Sequence, residues 1–381
     1  MHGRFLLTVG LGLSLSGCVS SQMITSRAVG YNKVVEDTNN QMLLLNVVRA
    51  RYRHPMYFTG FTLIRGSQSV QVGTGNVAIP FGGGAPNIYT ANPSVNLNIN
   101  PSYDVAVLDT KEFMSGITTP VDMKTLKYYW DQGWSRQMLL FLFVRKIELG
   151  KRCFLNVPWN AADEGCEPGV PRLNEYLDRK LDIVEDPTPR RTPVGPPIRY
   201  AAGQAPGVGD IVNAYVNKLT LAKATDAEKD NVYQLYSESK GFVFQYCPEQ
   251  RECDAENRQH VAVASDSDSP DEKKPKIYIR SPEAVLFFLG ELAREELEGR
   301  SPPQMLDSGG EKVPLFVIRR SSVPPTSAAL SVEYEGQWYY IPSGPEGGRS
   351  MHVLSLVNQI LSLHKSRGEL PTTSAVTVVG R

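Results

Sequence analysis

Two serine–lysine pairs at helical spacing, Ser237-Glu-Ser-Lys240 and Ser362-Leu-His-Lys365, are the residues of this chain best suited to covalent chemistry. On one helical face the lysine can serve as base towards the serine hydroxyl, the arrangement used in serine–lysine acyl transfer. Ser362 falls in "SMHVLSLVNQILSLH", whose apolar spacing predicts a helix. Neither pair has the S-D-N or K-T-G partners of that chemistry, and Lys365 comes at the predicted helix end. Ser362 and Lys365 keep a hydrolase reading open without making a catalytic set.

The other reactive side chains are dispersed. His54, His260, His352 and His364 share no motif, and G-x-S-x-G, H-E-x-x-H and Walker sequences are absent. Asp163/Glu164 and Glu295/Glu296 are adjacent rather than facing, which reads as solvated surface. "GTGNVA" lacks the third glycine of a dinucleotide fingerprint, and "PFGGGAP" lacks a following Lys-Ser/Thr, so both read as turns between strands. No cofactor is implied. At "QWYYIP", strand alternation puts Trp338 and Tyr340 on one face and Tyr339 and Ile341 on the other. One set is expected in the core, and Trp338 with Tyr340 could form a sugar-stacking platform.

The N-terminal residues address location. An apolar run, "FLLTVGLGLSLSG", follows Arg4 and ends at Cys18. It is shorter than the ~20 residues of a spanning helix and has the layout of an export signal. Leu15-Ser16-Gly17-Cys18 resembles the lipobox of bacterial lipoproteins. That resemblance implies diacylation of the Cys18 thiol, cleavage before Cys18, and acylation of the new amino group. Residues 1–17 are then a signal peptide and 18–26 a lipidated tether. Val19 and Ser20 follow the cysteine. By the sorting rule of enterobacterial lipoproteins, the missing Asp implies the outer membrane, with the body on its periplasmic face. The tether reaches at most roughly 30 Å at about 3.4 Å per residue. The partner so implied is the lipid bilayer itself.

Four cysteines remain, Cys153, Cys166, Cys247 and Cys253. In an exported chain they read as two disulfides, and the local pairing Cys153–Cys166 with Cys247–Cys253 is expected. A metal site of these thiolates with His260 is the competing reading, but the spacings match no zinc pattern. Lys+Arg and Asp+Glu stand at 40 each, so no electrostatic argument favours a nucleic-acid partner.

The elements that must position these residues follow from periodicity and punctuation. Residues 27–52 read as a long amphipathic helix stopped by Pro55, its basic end "RARYRH" complementing the helix dipole. "SVQVGTGNVAI" and "SVNLNI" alternate as strands, and two short helices fall between Thr110 and Gln132. "RQMLLFLFVRKIEL" fits either a central strand or a buried helix, and a strand is expected. The Pro/Gly-rich stretch 185–209 is expected as a linker or surface excursion, dividing an α+β region at 27–184 from another at 210–381. "GDIVNAYVNKLTLAKA" is expected to be helical, and Ser281-Pro282 to open another helix. Strands are expected at "GFVFQYC", "KIYIR", "PLFVIRR", "ALSVEYEG" and "QWYYIP", and a terminal one at "SAVTVVG". This order predicts an α+β fold with largely antiparallel sheets packed by helices.

"NQMLLLNVVRARYR", "IYIRSPEAVLFFLGEL" and "VEYEGQWYYIP" with "VLSLVNQILSL" together resemble a group of proteobacterial envelope lipoproteins. The resemblance spans most of the mature chain, rests on structural motifs, and carries no activity. The function expected is a non-enzymatic scaffold or assembly factor of an envelope complex, with one or more envelope proteins as partners. The alternatives are a peptidoglycan- or polysaccharide-binding module and a serine–lysine envelope hydrolase.

Overall fold

The computed structural model describes residues 29–363 except 31, 75–92, 158–164, 189, 202, 225–230, 248–257, 264–274, 301–303 and 307–309. Helix α1 (29–51) leads into two long strands, β1 (Thr59–Thr74) and β2 (Pro93–Val107), and helix α2 (Lys111–Thr118). Next come α3 (Met123–Asp131), α4 (Arg136–Phe143), β3 (Val144–Leu149), β4 (Arg152–Leu155), β5 (Glu167–Pro168), α5 (Gly169–Asp178) and β6 (Asp182–Glu185). The middle of the chain forms β7 (Arg190–Arg199), α6 (Val208–Val216), β8 (Leu219–Lys223), β9 (Val232–Ser239), β10 (Phe242–Tyr246), β11 (Gln259–Val263), β12 (Lys276–Ile279) and α7 (Pro282–Leu297). Last are β13 (Gln304–Leu306), β14 (Lys312–Pro314), β15 (Arg319–Ser321), β16 (Ala328–Tyr334), β17 (Gln337–Pro342) and α8 (Pro345–Leu363). The fold is α+β, and every described strand pairing is antiparallel except β4–β5 and β11–β12.

The chain forms two compact units that are interleaved in sequence. Of the described residues, one takes those up to Ile117, Arg319–Gly344 and those from Leu354; the other takes those of Thr118–Ile318 and Pro345–Val353. In the first, α1 buries Leu43, Leu44, Val47 and Val48, a stripe at helical spacing. Its end is fastened by Asn46, whose side chain donates to the Tyr57 carbonyl (2.8 Å) and accepts from the Tyr57 amide (3.1 Å). The sheet β15–β17–β16 sets Tyr339 and Ile341, both wholly buried, against this core.

The second unit is built on the seven-stranded sheet β5–β4–β3–β12–β11–β10–β6. Here the run "RQMLLFLFVRKIEL" is not one strand but a helix that turns into one. Ser135 caps α4 by accepting from the Met138 amide (3.3 Å), and Val144 begins β3. Met138 to Phe143 are all buried, so burial on every side erased the period that separates helix from strand. The stretch expected as a linker or surface excursion holds β7, a ten-residue edge strand on the sheet β7–β9–β8. An edge strand tolerates prolines because one side of it needs no ladder donors. A bulge between Val194 and Ile198 absorbs Gly195-Pro196-Pro197, and the buried Gln234 side chain donates to the carbonyls of Val194 and Gly195 (both 3.0 Å). "GDIVNAYVNKLTLAKA" likewise divides: α6 ends at Val216, Lys218 turns the backbone at φ 54, and β8 follows. The expected terminal strand lies outside the described residues.

Cys153 and Cys166 form a disulfide with their Cα atoms 4.9 Å apart, tying β4 to the turn before β5. Immediately after β5, Gly169 starts α5 against β4. A Cβ there would stand 2.7 Å from the Leu155 carbonyl carbon and 2.8 Å from the Asn156 nitrogen, both backbone atoms. Gly169→Ala should therefore cost about 2–3 kcal/mol, read by denaturant unfolding. An unchanged midpoint would show that this helix start can move away from the strand.

Candidate functional site

In the first unit, β17 lies between β15 and β16, and the register puts Trp338 opposite Ser321 and Glu333, and Tyr340 opposite Arg319 and Ser331. Trp338 and Tyr340 are half-buried on this face, while Tyr339 and Ile341 are fully buried on the other. The alternation read from the sequence is observed. The platform is thus two aromatic rings flanked by a guanidinium, two hydroxyls and a carboxylate.

Behind it, the basic end of α1 is built into an aromatic cluster. The Tyr52 and Tyr339 hydroxyls share a short hydrogen bond. The Arg51 guanidinium lies over both rings, 4.6 Å from Tyr52 and 5.9 Å from Tyr339. At the cluster's edge His54 Nδ1 meets the Tyr334 hydroxyl at 2.7 Å, with Glu335 3.8 Å away. Burial pushes the Tyr52 phenol up, but the hydrogen bond from Tyr339 and the charge of Arg51 outweigh it and hold Tyr52 below the ordinary tyrosine value. Burial and then the bond to Tyr52 push Tyr339 up to about 12. An ultraviolet pH titration should show one tyrosine ionising early, lost in Tyr52→Phe. In Tyr339→Phe it should move upward, because the donor that stabilises the phenolate is gone. An early phase indifferent to both changes would contradict this assignment.

The two serine–lysine pairs lie on different elements. Ser362 does lie on α8, but its exposed hydroxyl donates to the Asn358 carbonyl (2.8 Å), and Lys365 lies outside the described residues. Ser237 is an exposed residue of β9, not of a helix, and Lys240 follows the strand, 3.4 Å from Glu185. Glu295 is not solvated surface: it is buried and accepts both arms of the Arg300 guanidinium (2.5 and 2.7 Å). Asp163, Glu164 and His364 lie outside the described residues. Among the described residues no group of three or more His, Cys, Asp or Glu is placed to hold a metal ion. Cys247 is disulfide-bonded; Cys253, its expected partner, lies outside the described residues.

Two hollows mark the second unit. One, about 380 Å³, is lined by Arg136, Lys180, Asp182, Gln245 and Arg258 among others. Its carboxylate is already engaged, since Asp182 accepts from the Trp130 indole (2.8 Å) and Arg136 stacks 4.8 Å from that ring. The other, about 320 Å³, has Leu155, Val157 and Phe287 on its walls and Arg280 among its lining. Arg280 is a structural cation that sequence reasoning missed. It donates to the carbonyls of Phe141 (3.1 Å), Leu142 (2.9 Å) and Val144 (2.9 Å), and to that of Asn156. The first three acceptors stand at the negative end of α4, so the helix terminus takes the place of a carboxylate. Burial, then the nearby Arg145, pull its pKa down to about 9, which leaves it charged at neutral pH. Asn156 shares the task, donating to Phe141 O (2.7 Å) and Val144 O (2.8 Å).

The third feature is a surface. Val208, Ile211, Val212, Tyr215 and Val216 fall at i, i+3, i+4, i+7 and i+8 of α6, the stripe a helix normally buries. They are 53–85% exposed, while Ala214 is the buried residue of the helix. The helix is held from its other side: the Tyr200 hydroxyl donates to Asp210 (2.6 Å), a bond that pushes the Tyr200 phenol up to about 12. Periodicity could locate this stripe, but only tertiary structure shows it turned outward. No helix among the described residues is long and apolar enough to cross a membrane. Compared with protein-family models, curated proteins and solved structures, the chain finds no match.

Proposed function

We propose that this chain is an exported lipoprotein, anchored by Cys18 to the outer membrane, that acts as a non-enzymatic assembly factor and docks an envelope protein through α6. The observation that carries the reading is the outward apolar stripe of α6, a preformed anchor of the kind that enters a groove on a partner. A protein partner suits it better than a lipid surface. Helices that lie on membranes carry Lys and Arg on their polar face, whereas the one charged residue of "VGDIVNAYV" is Asp210. The partner surface is thus apolar, and roughly 13 Å of helix must fit it at about 1.5 Å per residue. The lipobox supports the location, and the Cys153–Cys166 bond suits an oxidising compartment.

A photo-crosslinker at Val212 should trap one recurrent envelope protein in cells, and Ile211→Glu should abolish the adduct with unfolding unchanged within about 0.5 kcal/mol. Recovery of monomer alone after crosslinking would end the assembly reading.

A second reading has its own observation. The half-buried pair Trp338 and Tyr340, with Arg319 and Glu333 beside them, has the makings of a glycan platform. Retention on purified peptidoglycan sacculi, lost in Trp338→Ala, would favour it. Equal retention of that variant would remove the site.

A further inference from the structure

The β1–β2 hairpin is 16 and 15 residues long, and among the described residues its strands pair only with each other. A two-stranded ribbon is at best marginal in water, and both its outer edges offer unpaired backbone donors and acceptors. The register decides what each face of the ribbon carries. Past an irregularity between Phe61 and Leu63, pairing is regular from Ile64↔Tyr103 to Thr74↔Pro93. Period-two alternation then places Ile64, Val70, Val72, Leu97, Ile99 and Tyr103 on one face. The other face carries Ser67, Ser69, Gln71, Asn96, Asn98 and Asn100. One face is mainly aliphatic and aromatic, interrupted by Gly66, Gln68 and Pro101; the other is amide and hydroxyl apart from Arg65 and Gly73.

The length has a meaning too. The eleven residues from Ile64 to Thr74 extend about 36 Å at roughly 3.3 Å per residue, and a tilt of about 45° makes that a height of ~25 Å. That is the apolar band of a membrane β-barrel, whose strands alternate lipid-facing and lumen-facing residues in segments of about ten. Two strands cannot enter hydrocarbon alone, because every edge donor and acceptor must be paired there. Copies of the same hairpin, aligned edge to edge, would satisfy both edges at once.

We propose that β1–β2 is a membrane-insertion hairpin, and that several copies of this chain close their hairpins into one β-barrel. The face with Val70 and Leu97 meets lipid, and the face with Ser69 and Asn98 lines a water-filled lumen. Since each copy brings two strands, a minimal barrel of about eight strands needs at least about four copies. The choice of the outer membrane rests on the anchoring reading above; the amphipathic ribbon does not.

The test uses the full mature chain, extracted in detergent and reconstituted into bilayers of phosphatidylethanolamine and phosphatidylglycerol. The detergent particle should contain several copies, and stepwise conductance should appear. Asn98→Asp should keep the step frequency and shift selectivity towards cations. Leu97→Asp, one residue along the strand, should lower the frequency about 30-fold or more. Replacing residues 66–101 by a short Gly-Ser turn should abolish conductance and return the particle to a single copy, while the body unfolds as before. A single-copy particle without conductance overturns the proposal, as does an equal effect of the two aspartates. Cys18→Ala separates the readings: conductance kept after reconstitution leaves the hairpin standing without the anchor. An acylated, membrane-bound chain that never conducts leaves the anchor and removes the hairpin.

Discussion

Replacing Arg280 with alanine is expected to lower the unfolding free energy by about 4 kcal/mol. Four buried carbonyls, of Phe141, Leu142, Val144 and Asn156, accept from this one guanidinium; the Asn156 amide also donates to Phe141 and Val144, so the deletion takes the side-chain donor from the Leu142 and Asn156 carbonyls. A buried acceptor left without its donor costs about 1–3 kcal/mol, and water entering the vacated space recovers part of that sum. The guanidinium also lies 3.9 Å from the centre of the Phe288 ring, and alanine forgoes that cation–π attraction. No carboxylate is among these partners, so the deletion strands no opposite charge. Arg280→Lys should lose about 2 kcal/mol, since an ammonium keeps the charge but cannot span four acceptors in a planar fork. Denaturant unfolding reads both. A loss under about 1 kcal/mol in the alanine variant would mean that α4 does not need this cap.

The second large effect concerns location. If Cys18 is acylated, Cys18→Ala should move the protein from the membrane pellet to the soluble fraction nearly completely. Two acyl signals already suffice for stable anchoring at about 0.8 kcal/mol per buried CH₂, and no described helix can substitute as a span. Cell fractionation with and without salt wash gives the answer. A Cys18→Ala protein that still sediments in salt and floats with lipid would point to another means of attachment, for which the β1–β2 hairpin is the candidate.

How much of this was legible beforehand differs by the kind of signal. Local chemistry read well: Ser281 caps α7 by accepting from the Ala284 amide (3.2 Å), with Pro282 in the first turn, as the pair suggested. The split of "QWYYIP" into a core face and a half-buried face also followed from alternation, because a strand with one buried side repeats every two residues. The Cys153–Cys166 pair followed from loop length and compartment. Signals that depend on distant chain read badly. Whether Pro193, Pro196 and Pro197 break a strand or edge one depends on β9 lying alongside, which their own neighbourhood does not encode. The apolar run 138–144 has no polar face from which to count a period. The stripe of α6 has the spacing of a buried face and is exposed, so its periodicity pointed to the core and its packing did not. Arg280 sat unnoticed between a strand and a cap, since nothing in "IYIRSPEA" foretells the end of α4 above it.

The anchor is the claim on which the envelope reading turns, and intact mass spectrometry of the protein extracted from membranes tests it most directly. The account predicts a chain that begins at Cys18, lacks residues 1–17, and carries the added mass of its acyl groups. An unmodified chain that still begins at Met1 would contradict it, and with it the location on which the assembly role of α6 depends.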